Sequence, residues 1–84
     1  MKRLDAHELQ KATRRAWDEF SGTQQELADL LELDRSVISR AIRSAGRKHA
    51  AVQARVISYV REVPVERRST YMGRQVSHEW IIDP

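Results

Sequence analysis

The side chains of Arg35, Ser36, Ser39, Arg40 and Arg43 lie close enough in the chain to act together. At helical spacing they fall on one face, opposite Ile38, Ala41 and Ile42. A guanidinium presents a rigid fork that matches guanine O6 and N7 or two phosphate oxygens, and a serine hydroxyl can bond to either bases or phosphate. The chemistry implied is recognition of a polyanion, not bond-making. Arg47 and Lys48 extend the row, and no acid interrupts the chain between Asp34 and Glu62. A local basic block of this kind is the electrostatic footprint of a nucleic-acid binder. The net charge of +3 and the pI of 9.8 would say much less on their own.

Two helices with a tight turn must hold this face. Asp34 is a strong N-cap residue for a helix over Arg35–Arg43. Before it, Thr23 and Glu26 have the spacing of a capping box, predicting a helix over Gln24–Leu31 with Leu27, Ala28 and Leu31 on one face. Ala28 is small enough for two helix backbones to meet closely there. Leu33 fills the angle of the turn, and Ile38 anchors the second helix on the first. With Asp34 as cap, the start of the second helix is free to point at base edges.

Gln24, Ala28, Leu31, Leu33, Ser36, Ile38, Ala41 and Ile42 together resemble the helix-turn-helix of phage Cro/repressor-type DNA-binding proteins. Residues 36–48 (SVISRAIRSAGRK) are especially similar to the recognition helix of Cro proteins. Glu32 departs from the pattern, since it stands where the family usually has glycine in a left-handed turn position. The resemblance implies a small sequence-specific transcriptional regulator, most simply a repressor. A homodimer would set two reading helices into successive major grooves, about 34 Å apart, over an inverted repeat. Arg35, Ser36, Ser39 and Arg40 are then the base-reading candidates, and Gln24, Arg43, Arg47 and Lys48 the phosphate candidates.

The flanks are expected to support this motif. Residues 4–20 read as a first helix capped by Asp5 and Glu8, with Leu9, Ala12, Ala16, Trp17 and Phe20 as its apolar stripe and Ser21-Gly22 as its end. Gly46 is expected to end the recognition helix. A fourth helix follows over 48–63, with Val52, Val56, Ile57, Val60 and Val63 as its stripe and Pro64 marking its end. Small Cro proteins pass into strands directly after the recognition helix, so this helix is closer to the longer helical repressor domains. Residues 65–82 read as a β-hairpin about a Met72-Gly73 turn. Val65, Arg67, Ser69 and Tyr71 would share one face with Arg74, Val76, His78 and Trp80. The hairpin is expected to dimerise through Tyr71, Val76 and Trp80 and to cover the core, rather than to act as a wing touching DNA near Arg74. The fold class is thus mainly α, one domain of about four helices with a C-terminal hairpin.

Other classes fit less well. At 84 residues the chain has room for one small core. It has no cysteine for disulfides or thiolate metal sites. His7, His49 and His78 lack ligand spacing, no glycine-rich phosphate loop is present, and no base is placed to activate Ser36 or Ser39. No enzyme, metal, cofactor or small-molecule ligand is expected. The N-terminus does not read as a signal peptide and no apolar run spans a membrane, so a cytoplasmic protein of a prokaryote or phage-infected cell is expected. Two rival functions use the same fold. One is a protein-interaction adaptor or antitoxin, which would not need a basic reading face. The other is a recombination or packaging accessory factor, which would bind DNA without controlling a promoter.

Overall fold

The chain runs β1 (Lys2–Leu4), α1 (Ala6–Glu19), α2 (Gln24–Leu31), α3 (Arg35–Arg43), α4 (Arg47–Arg61), β2 (Val65–Met72) and β3 (Gln75–Ile82). The structure, a computed structural model, describes residues 2–73 and 75–82, and their side chains apart from those at 2, 47, 68–72 and 75–77. It is mainly helical, with four helices and a small antiparallel sheet built on the C-terminal hairpin.

Asp5 sets where the first helix begins. Its carboxylate accepts from the Glu8 N–H at 2.8 Å, and Glu8 accepts from the Asp5 N–H at 3.4 Å, a complete capping box. The hydrogen bond from the Glu8 backbone holds the Asp5 carboxyl below the usual carboxylate range. Its contribution to stability is therefore present at neutral pH and lost as the pH falls through that lowered value. The cap residue is extended (φ −83°, ψ −177°), so the helix starts at Ala6 and not at residue 4 as expected. Leu4 belongs instead to β1, a strand that the sequence reading missed, which pairs with β3 as Lys2↔Ile82, Arg3↔Ile81 and Leu4↔Trp80.

The sheet order is β1-β3-β2, which makes the last strand the central one. Met72 pairs with Gln75, so Met72 is a strand residue and not half of the turn; Gly73 beside it takes φ 62°. Each β2 residue therefore pairs two positions further along β3 than a Met72-Gly73 loop would allow. A shift of two changes the partners, to Arg67↔Trp80 and Ser69↔His78, but preserves the faces, so the residues expected to share a face still do.

One core joins all the elements. It contains Leu9 and Ala16 of α1, Leu27, Ala28 and Leu31 of α2, Ile38 and Ile42 of α3, and Ala50, Val56 and Ile57 of α4, closed by Leu4 and Trp80 of the sheet. Trp17 and Phe20 pack against its edge, their ring centroids 5.9 Å apart. Helix α4 starts at Arg47 and ends at Arg61, slightly earlier than expected at both ends, with Glu62 left-handed at φ 55° beyond it. Gly46 has a different role from the one expected. α3 already stops at Ser44, whose N–H bonds the Arg40 carbonyl at 2.9 Å. Gly46 is the N-cap of α4 at φ 138°, a conformation that side-chain-bearing residues rarely take. Among the described residues no helix is long and apolar enough to cross a membrane.

Candidate nucleic-acid interface

The site is built on α2, the turn and α3. Thr23 caps α2 by accepting from the Glu26 N–H at 3.1 Å. The Glu26 carboxylate accepts a hydrogen bond from the Thr23 hydroxyl at 3.3 Å instead of reaching back to the cap backbone, so only half of the expected capping box forms. At the other end, Glu32 is left-handed (φ 57°, ψ 44°). The Glu32 N–H bonds Asp29 O at 3.2 Å and the Leu33 N–H bonds Ala28 O at 2.8 Å. These bonds form a Schellman closure that a glycine would make without the backbone cost. Leu33 is half-buried against the core, and Ala28 and Ile38 are fully buried where the helices meet.

Asp34 holds the N-cap position of α3 through its backbone: its carbonyl accepts from Val37 N–H at 3.0 Å and Ile38 N–H at 3.3 Å. Its carboxylate makes no capping bond, contrary to expectation, so the first N–H groups of α3 receive nothing from it. Ile38, Ala41 and Ile42 are buried, which turns the opposite face outward. Arg35, Ser36, Arg40 and Arg43 are exposed on it, while Ser39 is half-buried. Arg43 is folded back on its own helix, donating its Nε to Ser39 O at 3.3 Å. Lys48 is exposed at the start of α4. With Val37, Arg40, Ser44, His49 and Val52 it lines a concavity of about 380 Å³ beside α3. Gln24 is half-buried as the first residue of α2. Arg47 opens α4, but its side chain lies outside the described residues.

Three side chains that the sequence reading did not single out fix this face in place. The last carbonyls of a helix have no partner within it. Gln10 of α1 donates to Ile42 O at 2.6 Å, and Gln53 of α4 donates to both Ala41 O at 2.9 Å and Ser44 O at 2.8 Å. Arg55 of α4 donates to Leu31 O at 2.7 Å, closing α2 in the same way. The two long helices thus grip the C-terminal ends of the two short ones by hydrogen bonds as well as by apolar packing. Gln53 is fully buried. The available signal was its place beside Val52 within an apolar stripe, where an unpaired amide would be costly.

The hairpin residues expected at a dimer contact separate. The backbones of Tyr71 and Val76 pair with each other across β2 and β3, but their side chains lie outside the described residues. Trp80 is only 3 % exposed and belongs to the protomer's own core, so it is core cover and not a surface offered to a partner. Arg74, expected at a wing tip, also lies outside the described residues. Among the described residues no three His, Cys, Asp or Glu side chains converge on a metal position.

The outer surfaces of the two motif helices carry opposite charge. Glu26, Asp29 and Glu32 are exposed at α2, together with Leu30, and Gln25 bonds Asp29 at 2.9 Å. The outer face of α3 carries Arg35, Arg40 and Arg43 among serines, with no acid. The chain matches no family model, no curated protein and no solved structure.

Proposed function

We propose that this protein is a sequence-specific DNA-binding regulator of the Cro/repressor type, reading the major groove with the outer face of α3. The reading is carried by one observation. A helix buried along Ile38, Ala41 and Ile42 turns Arg35, Ser36, Arg40 and Arg43 outward, with Lys48 beside them and no carboxylate on that face of the helix. Arg35, Ser36, Ser39 and Arg40 take base edges, and Gln24, Arg43, Arg47 and Lys48 take phosphates. Binding is as a homodimer over an inverted repeat, and regulation is steric, by occupation of a promoter. Among the described residues no strand covers the outer edge of β2, which leaves it able to pair with a second copy.

A second reading, a protein-interaction adaptor, draws on Leu30. That side chain is 53 % exposed amid the acidic surface of α2, away from the basic face. Selecting random duplexes with the purified protein at physiological salt, then sequencing those retained, separates the two. The regulator enriches an inverted repeat with half-site centres about one helical turn apart. Enrichment of a lone half-site removes the symmetric dimer and keeps the reading helix. Retention without enrichment, lost as salt rises, overturns the regulator and favours the adaptor.

A further inference from the structure

A second concavity meets the reading face only at Lys48. It is a cleft of about 600 Å³ between α4 and the β2–β3 sheet. Its floor is apolar, made by Val65, Trp80 and Ala54, and its rim carries Lys48, Arg67 and His78. We propose that this cleft is a binding site for a small molecule that joins an anionic group to an apolar or aromatic body.

The argument rests on how the two kinds of surface are combined. Arg67 is the cross-strand partner of Trp80, and both line the cleft, so a cationic and an aromatic residue share one register position there. Lys48 faces it from the first turn of α4. No carboxylate is among the described residues that line the cleft, and among the described residues neither Lys48 nor Arg67 enters an ion pair. The nearby acids are engaged or directed elsewhere. Glu79 pairs with Arg3 at 4.0 Å, and Glu66 alternates with Arg67 and so lies on the other face of β2. The α4 side of the cleft is lined by Ala50, Ala51 and Ala54, small side chains that leave the space open where a larger one would fill it. A volume of this size, apolar below with a few convergent polar groups, is the usual form of a small-molecule site. A nucleic-acid backbone would satisfy the cations and leave the apolar floor unused, whereas an aromatic carboxylate or sulfonate uses both.

The proposal shares only Lys48 with the DNA reading and is tested without DNA, so that either can fail alone. The full-length protein is titrated with 1-anilinonaphthalene-8-sulfonate and, in parallel, with its uncharged analogue N-phenyl-1-naphthylamine, following dye fluorescence. Circular dichroism confirms that each variant is folded. Saturable one-to-one binding of the sulfonate is expected. Arg67→Gln should weaken it about fivefold, the range of a single partly exposed ion pair, while leaving the neutral dye unchanged. Ala54→Phe should weaken both dyes by filling the floor. Equal loss of both dyes in Arg67→Gln, or no change in either variant, overturns the proposal. So does sulfonate binding that disappears as the protein self-associates, because the occupant is then a second copy of the chain.

Discussion

α2 and α3 are neighbours of almost equal length, eight and nine residues, yet they are finished in opposite ways. α2 is capped at both ends by its own local sequence, with Thr23 bonded at the start and the left-handed Glu32 at the end, and Leu31 O takes an added bond from Arg55 of α4. Its exposed surface is acidic. α3 has no side-chain cap at its start, and its last carbonyls are held by Gln10 and Gln53 from other helices. Its exposed surface is basic. One helix is capped chiefly by its own residues; the other has no side-chain cap at its start and is held from behind by Gln10 and Gln53. On the proposed reading, duplex DNA would approach over the basic α3 and be repelled from the acidic outer side of α2.

The largest test of this contrast is on the buried side. Ile38 is fully buried and ties α3 to the rest of the motif. Ile38→Ala should cost about 2–5 kcal/mol in urea unfolding. Leu30→Ala, on the exposed side of α2, should stay within about 0.5 kcal/mol. Equal effects would mean that α3 is not held by its apolar face.

The front of α3 is tested by binding. Arg40→Ala should cost about 1–3 kcal/mol on a selected duplex and relax the preference at one base. Lys48→Ala should weaken all duplexes alike and flatten the salt dependence. Glu26→Gln and Asp29→Asn on α2 should alter no base preference. If Arg40→Ala leaves both affinity and preference intact, the reading face has been misplaced.

The back of α3 is tested at Gln53, a positioning residue. Gln53→Leu keeps most of the volume but leaves the Ala41 and Ser44 carbonyls without their donor, and should cost about 1–3 kcal/mol of stability. It should also lower affinity for the selected duplex in conditions where the variant is still fully folded. A stability loss with unchanged affinity would reduce Gln53 to a core residue.

The contrast also shows which parts of the molecule could be read from the chain. The bounds of α2 and α3 were legible because their start signals, Thr23 and Asp34, are local and the apolar spacing between them is unambiguous. The left-handed turn at Glu32 was implied only by the resemblance, because glutamate at that position carries no local signal for it. The grip of Gln10, Gln53 and Arg55 was not, because each bond joins residues brought together only by tertiary packing. β1 escaped notice because three residues carry no period, and Leu4 continues the apolar pattern of α1 as readily as it fills a strand. Gly46 was assigned to the wrong helix because a glycine between two helices satisfies either neighbour by composition. The apolar floor of the cleft is shared between α4 and two strands, so no local window contains it.

A smaller test concerns the turn between the two helices. Glu32 sits at φ 57° with its N–H bonded, so it bears the backbone strain that glycine avoids. Glu32→Gly should raise unfolding stability by about 1 kcal/mol. It should leave base preference unchanged, because the turn geometry is already the one glycine adopts. A loss of stability would mean that the left-handed turn is not what sets the angle between α2 and α3.

The finest distinction lies in the two N-caps. The Thr23 hydroxyl accepts a backbone N–H at 3.1 Å, so Thr23→Ala removes a real hydrogen bond and should cost about 1 kcal/mol, nearly independent of salt. Asp34 makes no such bond, and its carboxylate acts on α3 only through its charge near the positive end of the helix. Asp34→Asn should therefore cost only about 0.3–1 kcal/mol at low ionic strength. That loss should fade as salt screens it. The same substitution removes a negative charge next to Arg35, so affinity for any duplex should rise while base preference is unchanged. Salt-independent losses at both positions would erase the distinction and make Asp34 an ordinary cap. A fall in duplex affinity would place the DNA away from the start of α3.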